Sequence, residues 1–224
     1  MNSRTIKLIG EENFLKLANK RIAIFGMGGV GGTCFEALVR SGVSNFYIQD
    51  FDVVSLSNLN RQILYTSNDL NTKKCSSAAN FAKSINKNVN IIEDYSKLDE
   101  SKDLEFLKSY DFVVDCIDDI KAKVYLIKYC ILNNINIVVS LGMGMKLDPS
   151  KVKLVSLNKT TVDPLAKKLR YLLKQENVDT SKVMCAFSEE QPVEYTGEIS
   201  SMIFVPSSAG LNLAYYVVKF LINQ

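Results

Sequence analysis

A glycine-rich turn, Gly26-Met27-Gly28-Gly29-Val30-Gly31, constrains the fold of this chain more than any other feature. A short apolar, β-prone run (residues 21–25) precedes it, and a segment with helical spacing (residues 33–39) follows it. In such a strand–turn–helix unit the first glycine permits a tight turn, the second lets a phosphate approach the backbone, and the third lets the helix pack on the strand. The N–H groups at the helix start then face an anion. The motif predicts a nucleotide-binding unit, with a plain close-packing turn as the alternative.

Two carboxylates, Asp50 and Asp52, follow the second predicted strand, which covers residues 45–49. An acidic residue about twenty positions after the glycines binds ribose hydroxyls in dinucleotide-binding folds. The acidic pair therefore favours nucleotide binding over a turn that serves packing alone.

Predicted strands and helices alternate up to residue 139, which indicates a parallel sheet covered on both faces. Right-handed crossovers make such a sheet doubly wound, and its ligands bind beyond the carboxyl ends of the strands. Four predicted strands end at glycines or carboxylates: the glycine turn, the Asp50/Asp52 pair, Asp115 with Asp118, and Gly142 with Gly144. We predict an α/β, doubly wound, Rossmann-like and mostly parallel sheet with a nucleotide site at this edge.

The pattern changes after residue 148. We predict strands at 152–157, 183–187 and 202–205, a basic helix at 164–175 and a buried terminal helix at 207–221. Further back, Ser101 is expected to cap a helix that ends near Tyr110. A chain of 224 residues fits one domain, here with a nucleotide-binding core over 20–145 and a mixed C-terminal extension over 146–224.

The composition excludes several kinds of chemistry. There is no histidine, so a histidine base, triad or metal ligand is ruled out. The five cysteines form no C-x-x-C pair, which argues against a disulfide framework or a four-cysteine zinc site.

The start has no signal-peptide pattern, and the most apolar stretch (211–221) is too short to span a bilayer. We expect a cytoplasmic protein. The net charge of +3 is compatible with a nucleic-acid partner but does not argue for one.

A polar cluster after the second strand, residues 55–62, indicates a ligand with several phosphates. Arg61 offers a planar fork to phosphate oxygens, and Asn58 could orient that arginine or contact a ribose. Lys74, at the start of the next helix, could reach the same anion. The alternative is that Arg61 and Lys74 are solvated surface charges.

Carboxylates end the fourth strand, in Asp115-Cys116-Ile117-Asp118-Asp119. Carboxylates beside a polyphosphate commonly hold Mg²⁺ that bridges phosphate oxygens. We assign the metal to Asp118, strand-end support to Asp115 and the cap of the following helix to Asp119.

Together these motifs resemble the superfamily of ATP-dependent adenylating enzymes that includes the ubiquitin-activating enzymes and the bacterial sulfur-carrier activators (ThiF/MoeB-like proteins). Residues 3–10, 142–149, 161–166 and 204–210 look more narrowly like the tRNA threonylcarbamoyladenosine dehydratases. That resemblance implies an enzyme that uses ATP and Mg²⁺ to close the threonylcarbamoyl side chain of a tRNA adenosine into a ring, with loss of one water. It also implies a homodimer.

The resemblance implies roles for particular residues. The candidate catalytic residues are Arg61, Lys74, Asp118 and Arg4. The candidate nucleotide-binding residues are Gly26, Gly28, Gly29, Gly31, Asp50, Asp52, Asn58, Arg61, Gln62, Lys74 and Asp115. Asp118 would hold Mg²⁺ through ATP, and Arg4 matches the arginine that such dimers pass into the neighbouring site.

Three other functions stay open at this point. The first is an activator of a small ubiquitin-like or sulfur-carrier protein, with a sulfurtransferase or an acceptor protein as partner; the absence of zinc-binding cysteine pairs counts against it. The second is a nicotinamide-dependent dehydrogenase, which has no use for the 58–62 cluster. The third is a non-catalytic nucleotide-binding scaffold. Cys185 is the candidate for a thioester-forming cysteine, with a buried strand cysteine as the plainer interpretation. Lys167, Lys168 and Arg170 could meet tRNA phosphates or form an ordinary solvated face.

Overall fold

The computed structural model describes residues 2–193, 197 and 199–223. Its strands within this part of the chain are β1 (Arg21–Phe25), β2 (Asn45–Gln49), β3 (Asn90–Asp94), β4 (Phe112–Asp115), β5 (Ile137–Ser140), β6 (Val152–Ser156) and β7 (Met184–Ser188). Its α-helices there are α1 (Ser3–Ile9), α2 (Glu11–Asn19), α3 (Gly29–Arg40), α4 (Lys74–Ile85), α5 (Ile120–Leu132), α6 (Pro164–Gln175) and α7 (Phe204–Ile222).

The strands form one sheet in the order β3-β2-β1-β4-β5-β7-β6. All neighbours pair in parallel except β6, which runs antiparallel to β7 at the edge. The strand order reverses between β1 and β4, and an open α/β sheet forms its ligand crevice at such a switch point. The predicted doubly wound, mostly parallel fold is confirmed. The C-terminal strands extend this same sheet.

Both faces of the sheet are covered at its centre, which explains why the central strands β1, β4 and β5 are apolar and buried over most of their length. In β1, Ile22 and Ile24 point into a core beneath α3, α4 and α7, while Ala23 and Phe25 point into a second core beneath α5 and α6. This alternation follows from the two-residue period of a strand.

Two predicted elements are wrong. Residues 202–205 do not form a strand, because α7 begins at Phe204 and takes in Pro206 in its first turn, where a missing N–H costs nothing. An apolar run of four residues suits either element, so the pattern alone could not decide. The segment after Ser101 forms only a short 3₁₀ turn over Glu105–Ser109, preceded by Leu104 at the capping position.

Among the described residues, none of the helices combines the length and apolar character that a membrane span requires.

Candidate active site

A cleft of about 780 Å³ opens at the carboxyl ends of β1, β2, β4 and β5. The candidate site residues that line it are Gly26, Gly28, Gly29, Asp50, Asp52, Asn58, Arg61, Gln62, Lys74 and Asp118. Gly142 and Gly144 line it as well. These residues come from six separate segments of the chain, which meet at the switch point of the sheet.

The glycine turn has the geometry that its spacing predicts. Gly26 has φ +88°, and a Cβ there would lie 2.7 Å from the carbonyl oxygen of Cys116. A Cβ on Gly31 would lie 1.8 Å from the Gly26 carbonyl oxygen, so only glycine lets α3 pack this closely. Gly28 is open by comparison, because a Cβ there would approach only the side-chain nitrogen of Gln62, at 3.8 Å. Gly31 itself is not on the cleft wall, which limits it to packing.

Asp50 fixes the turn from the neighbouring strand end. Its Oδ2 accepts the Met27 N–H at 2.7 Å, and its Oδ1 accepts the Asp52 N–H at 2.9 Å. Burial raises the pKa of the Asp50 carboxyl, and the nearby Lys74 charge and these backbone bonds oppose that rise. Asp50 thus holds the loop in shape while one edge of its carboxylate borders the cleft.

Lys74 is the first residue of α4 and is nearly buried, with 5% of its surface exposed. Its Nζ lies 2.7 Å from Asp52 Oδ2. A lysine in the first turn opposes the helix dipole, since that end of a helix favours negative charge. An anion bound in the cleft would offset this unfavourable placement by pairing with the Lys74 ammonium.

Arg61 is held by neighbours other than the one we predict. Its Nη1 donates to the Ser57 carbonyl oxygen and to Asn60 Oδ1, each at 2.8 Å. Asn58 instead accepts the Ser55 N–H at 3.1 Å and closes a 3₁₀ turn. The expectation that Asn58 orients Arg61 is therefore wrong, because the local turn uses its side-chain oxygen.

The side chain of Gln62 indicates a bound ligand in a way that the sequence alone could not. Its side chain is buried, yet its Oε1 has no hydrogen-bond partner among the described residues. A buried unpaired amide oxygen is costly, and native proteins rarely leave one without a ligand or water. Gln62 lines the cleft, so a donor group of a bound molecule would satisfy it.

The carboxylates that follow β4 have three separate roles. Asp119 caps α5 by accepting the N–H groups of Lys121 and Ala122, as predicted. Asp118 is exposed in the cleft and makes no hydrogen bond or ion pair with any described residue. Asp118 is thus a free carboxylate beside the glycine turn.

Asp115 does not contact the cleft, contrary to the prediction that it binds nucleotide. It is fully buried, with Oδ2 at 2.8 Å from Lys123 Nζ, and its Oδ1 accepts the Ile117 N–H. Burial raises the pKa of the Asp115 carboxyl, and the Lys123 charge opposes that rise. This pair fixes the turn that presents Asp118. Lys123 lies on the buried face of α5 with Leu126 and Ile127. A lysine on an otherwise apolar helix face is the sequence feature that could have identified this buried pair.

A second buried pair supports the glycines after β5. Asp163 Oδ2 accepts the Gly142 N–H at 3.1 Å, and Lys146 Nζ donates to the Gly142 carbonyl oxygen at 2.7 Å. Lys146 and Asp163 lie 3.4 Å apart and are almost wholly buried. Asp163 also caps α6 through the Ala166 N–H. The prediction did not include these two residues, because they meet only in the folded chain.

The cleft also has an apolar side that the sequence analysis missed. Its members are Phe51, Leu98, Ile117 and Ala122. Phe51 is 57% exposed, so part of its ring faces the cleft opening. A flat apolar ring could lie against this side.

Arg4 and Cys185 lie away from the cleft. Arg4 is an exposed residue of α1 and does not line the cleft of its own chain. Cys185 is buried in β7 and its thiol donates to the Val155 carbonyl oxygen. Burial raises the pKa of the Cys185 thiol to about 12. Burial also raises the pKa of Cys116, the cysteine that borders the cleft. Neither thiol has the low pKa of a reactive cysteine.

This chain is similar to known proteins over nearly its whole length. The model of the ThiF family matches residues 2–223. The tRNA threonylcarbamoyladenosine dehydratase of Bacillus subtilis is 31% identical over 241 residues, which cover 99% of this chain and 94% of the relative. The crystal structure of the E. coli tRNA N6-threonylcarbamoyladenosine dehydratase TcdA in complex with AMP superimposes with a TM-score of 0.93, at 29% identity, and covers 98% of this chain and 93% of that one. The complex of that E. coli enzyme with ATP gives a TM-score of 0.90 over the same coverage.

Proposed function

Because the chain belongs to the ThiF family and, within it, to the tRNA threonylcarbamoyladenosine dehydratases, we propose that it uses ATP to cyclise N6-threonylcarbamoyladenosine in tRNA. The observation that carries the proposal is the cleft at the switch point, where the glycine turn, Arg61 and Lys74 converge. We also propose that the enzyme works in the cytoplasm and, as the resemblance to the family implies, as a homodimer.

The cleft fits ATP in its chemistry. Gly28 leaves the backbone open to phosphate oxygens, and Arg61 and Lys74 supply two positive charges nearby. Gln62 offers an unpaired acceptor to a hydroxyl or amino group. Phe51, Leu98 and Ala122 offer an apolar side to the adenine ring. ATP bound to a related enzyme of the same fold supports this assignment.

The free carboxylate of Asp118 fits Mg²⁺. Magnesium in nucleotide sites is typically held by one or two carboxylates together with phosphate oxygens and waters. Asp118 is exposed beside the glycine turn without a partner among the described residues, whereas Asp115 is neutralised by Lys123. When bound, Mg²⁺ would offset the charge that develops on the phosphates.

We propose the following course for the reaction, as the resemblance to the family implies. A threonyl carboxylate oxygen attacks the α-phosphorus of ATP, the α–β bridging bond breaks, and pyrophosphate leaves with the bonding electrons. Arg61 and Lys74 stabilise the negative charge in this step. A nitrogen of the same side chain then attacks the acyl carbon, loses its proton and expels AMP. The carboxylate is already an anion at neutral pH, so alignment matters more than a general base, and the absence of histidine is no obstacle.

We further propose that residues 20–145 and 146–224 act as one adenylating domain. Strand β7 pairs with β5, and α7 packs so closely on α3 that a Cβ on Gly210 would lie 2.5 Å from the Val30 carbonyl oxygen. Arg4 would act in the neighbouring protomer, since it is exposed on α1 and does not line its own cleft.

Exchange of labelled pyrophosphate into ATP tests the adenylation step. We expect exchange with tRNA that carries threonylcarbamoyladenosine and none with tRNA that lacks the modification. Exchange that occurs without tRNA and requires the C-terminus of a small carrier protein would contradict the proposal. It would support an activator of a carrier protein instead.

A further inference from the structure

The exposed face of α6 carries three lysines and a tyrosine in one row. Pro164, Lys167, Lys168, Tyr171 and Lys174 are exposed, whereas Ala166, Leu169 and Leu173 are buried against the sheet. Residues three, four and seven positions apart share one face of a helix. The row is therefore continuous along α6. We call Lys167, Lys168 and Lys174 the lysine stripe.

The lysine stripe has no acidic partner among the described residues. The salt bridges of the structure include none of its three ammonium groups. Glu176, the acid at the end of α6, lies 2.6 Å from Lys128 on α5 instead. The stripe is thus a patch of unneutralised positive charge.

Arg170 does not belong to this patch, although the sequence left open whether it meets tRNA phosphates or forms part of a solvated face. Its Nη1 donates to the Thr160 carbonyl oxygen at 3.1 Å and also to the Thr160 hydroxyl. The guanidinium therefore ties α6 to the preceding turn. Three of the basic residues in this helix, Lys167, Lys168 and Lys174, remain available for an anion.

The row starts at the mouth of the cleft. Leu165 lines the cleft, and Asp163, the residue before α6, holds Gly142 on the cleft wall. At about 1.5 Å per residue, Lys174 lies roughly 15 Å along the helix from Pro164. A polyanion that enters the cleft with one nucleotide could lay its flanking backbone along this row.

We propose that the lysine stripe binds the backbone phosphates of the tRNA strand that flanks the modified adenosine, and that Tyr171 stacks on a neighbouring base. The inference rests on the proposed function, because that function supplies the tRNA. Lysines that follow a backbone, with an aromatic ring among them, are the usual means of binding an unpaired strand. Tyr171 is 63% exposed, so its ring is open to such contact.

The test is the salt dependence of binding to tRNA that bears threonylcarbamoyladenosine. Each phosphate contact contributes about 0.7 to 0.9 to the slope of log K against log salt. The triple variant K167A/K168A/K174A should therefore lower that slope by about two to three and weaken binding on the order of a hundredfold at 0.1 M salt. Its KM for tRNA should rise, while kcat at saturating tRNA and the KM for ATP stay the same.

A matched variant, K83A/K87A/K108A, removes the same charge elsewhere. Lys83 is exposed in the last turn of α4 and Lys87 just after it, on the opposite face of the sheet. Lys108 is exposed near the start of β4, where it pairs with Glu105. This control should leave the slope within about half a unit of the wild type. Tyr171→Ala should weaken binding about tenfold without changing the slope, and Tyr171→Phe should bind normally.

An unchanged slope in the stripe variant would overturn the proposal, as would a loss equal to that of the control. If the stripe variant binds tRNA normally but no longer binds an acidic protein, the patch is a protein-docking surface and the proposal is again wrong. Failure of the proposed function is distinguishable, because the wild type would then bind tRNA with a stripe-dependent slope but leave the nucleoside unchanged.

Discussion

Replacing Lys123 with methionine tests the interpretation of the buried pair behind the cleft. Methionine keeps most of the side-chain volume but removes the charge that faces Asp115 at 2.8 Å, with both groups fully buried. Breaking a buried ion pair from one side costs about 3–5 kcal/mol. At about 2–4 °C per kcal/mol for a chain of this size, the midpoint of thermal unfolding should fall by roughly 6–20 °C at pH 7.

The loss should depend on pH in a defined direction. Burial raises the pKa of Asp115, and the Lys123 charge restrains that rise in the native protein. Without Lys123, folding favours the protonated carboxyl, while the unfolded chain releases its proton near pH 3.9. Below that pH, Asp115 is protonated in both the folded and the unfolded K123M chain, so its ionisation costs the variant no stability. As the pH rises through the pKa of Asp115 in the folded variant, that stability is lost. The variant should be closest to the wild type near pH 4 and furthest from it at pH 7.

Urea unfolding at several pH values measures this difference. The control is Lys121→Met, two residues earlier and exposed, which should change the unfolding free energy by less than about 0.5 kcal/mol. The double variant D115L/K123M should recover most of the loss, because it leaves no unpaired charge. A K123M protein as stable as the wild type at pH 7, or equally destabilised at every pH, would refute the reasoning.

Three further predictions concern the site. Asp118→Ala should unfold at the same temperature as the wild type but lose at least about a hundredfold in ATP turnover, since a single charge-stabilising group is worth that much; full turnover would remove Asp118 from the metal site. Lys146→Met should leave Asp163 buried without its cationic partner, cost about 3–5 kcal/mol of stability and raise the KM for ATP, as urea unfolding and initial rates would measure; a normal KM would separate this pair from the cleft. Cys185→Ala should retain turnover, and the native Cys185 thiol should resist iodoacetamide at pH 8, since burial raises its pKa to about 12; loss of turnover with the fold intact would restore a catalytic cysteine.

The sequence predicted those features that depend on local geometry. The glycine turn is one, because the positive φ of Gly26 and the close contact of Gly31 follow from residues within six positions of each other. The sheet is another, since apolar strands alternate with helices over most of the chain. The carboxyl ends of those strands then had to meet, which is why most candidate residues line one cleft.

Features that depend on which surfaces meet could not be predicted in the same way. Asp115 and Asp118 look alike in the sequence, but the side chain of a strand residue enters the core while that of a loop residue stays in the cleft. The Lys123 and Lys146 pairs require knowledge of the helix face that covers the sheet. Arg170 and Lys167 have similar charges, and their roles differ because the carbonyl and hydroxyl oxygens of Thr160 lie within reach of Arg170.

Mass spectrometry of tRNA nucleosides tests the central claim most directly. The protein would be incubated with ATP, Mg²⁺ and tRNA bearing threonylcarbamoyladenosine, and the tRNA would then be digested to nucleosides. We predict that this nucleoside loses the mass of one water when ATP is present, that it stays intact without ATP, and that Asp118→Ala leaves it intact. An unchanged nucleoside with active, ATP-binding protein would contradict the account.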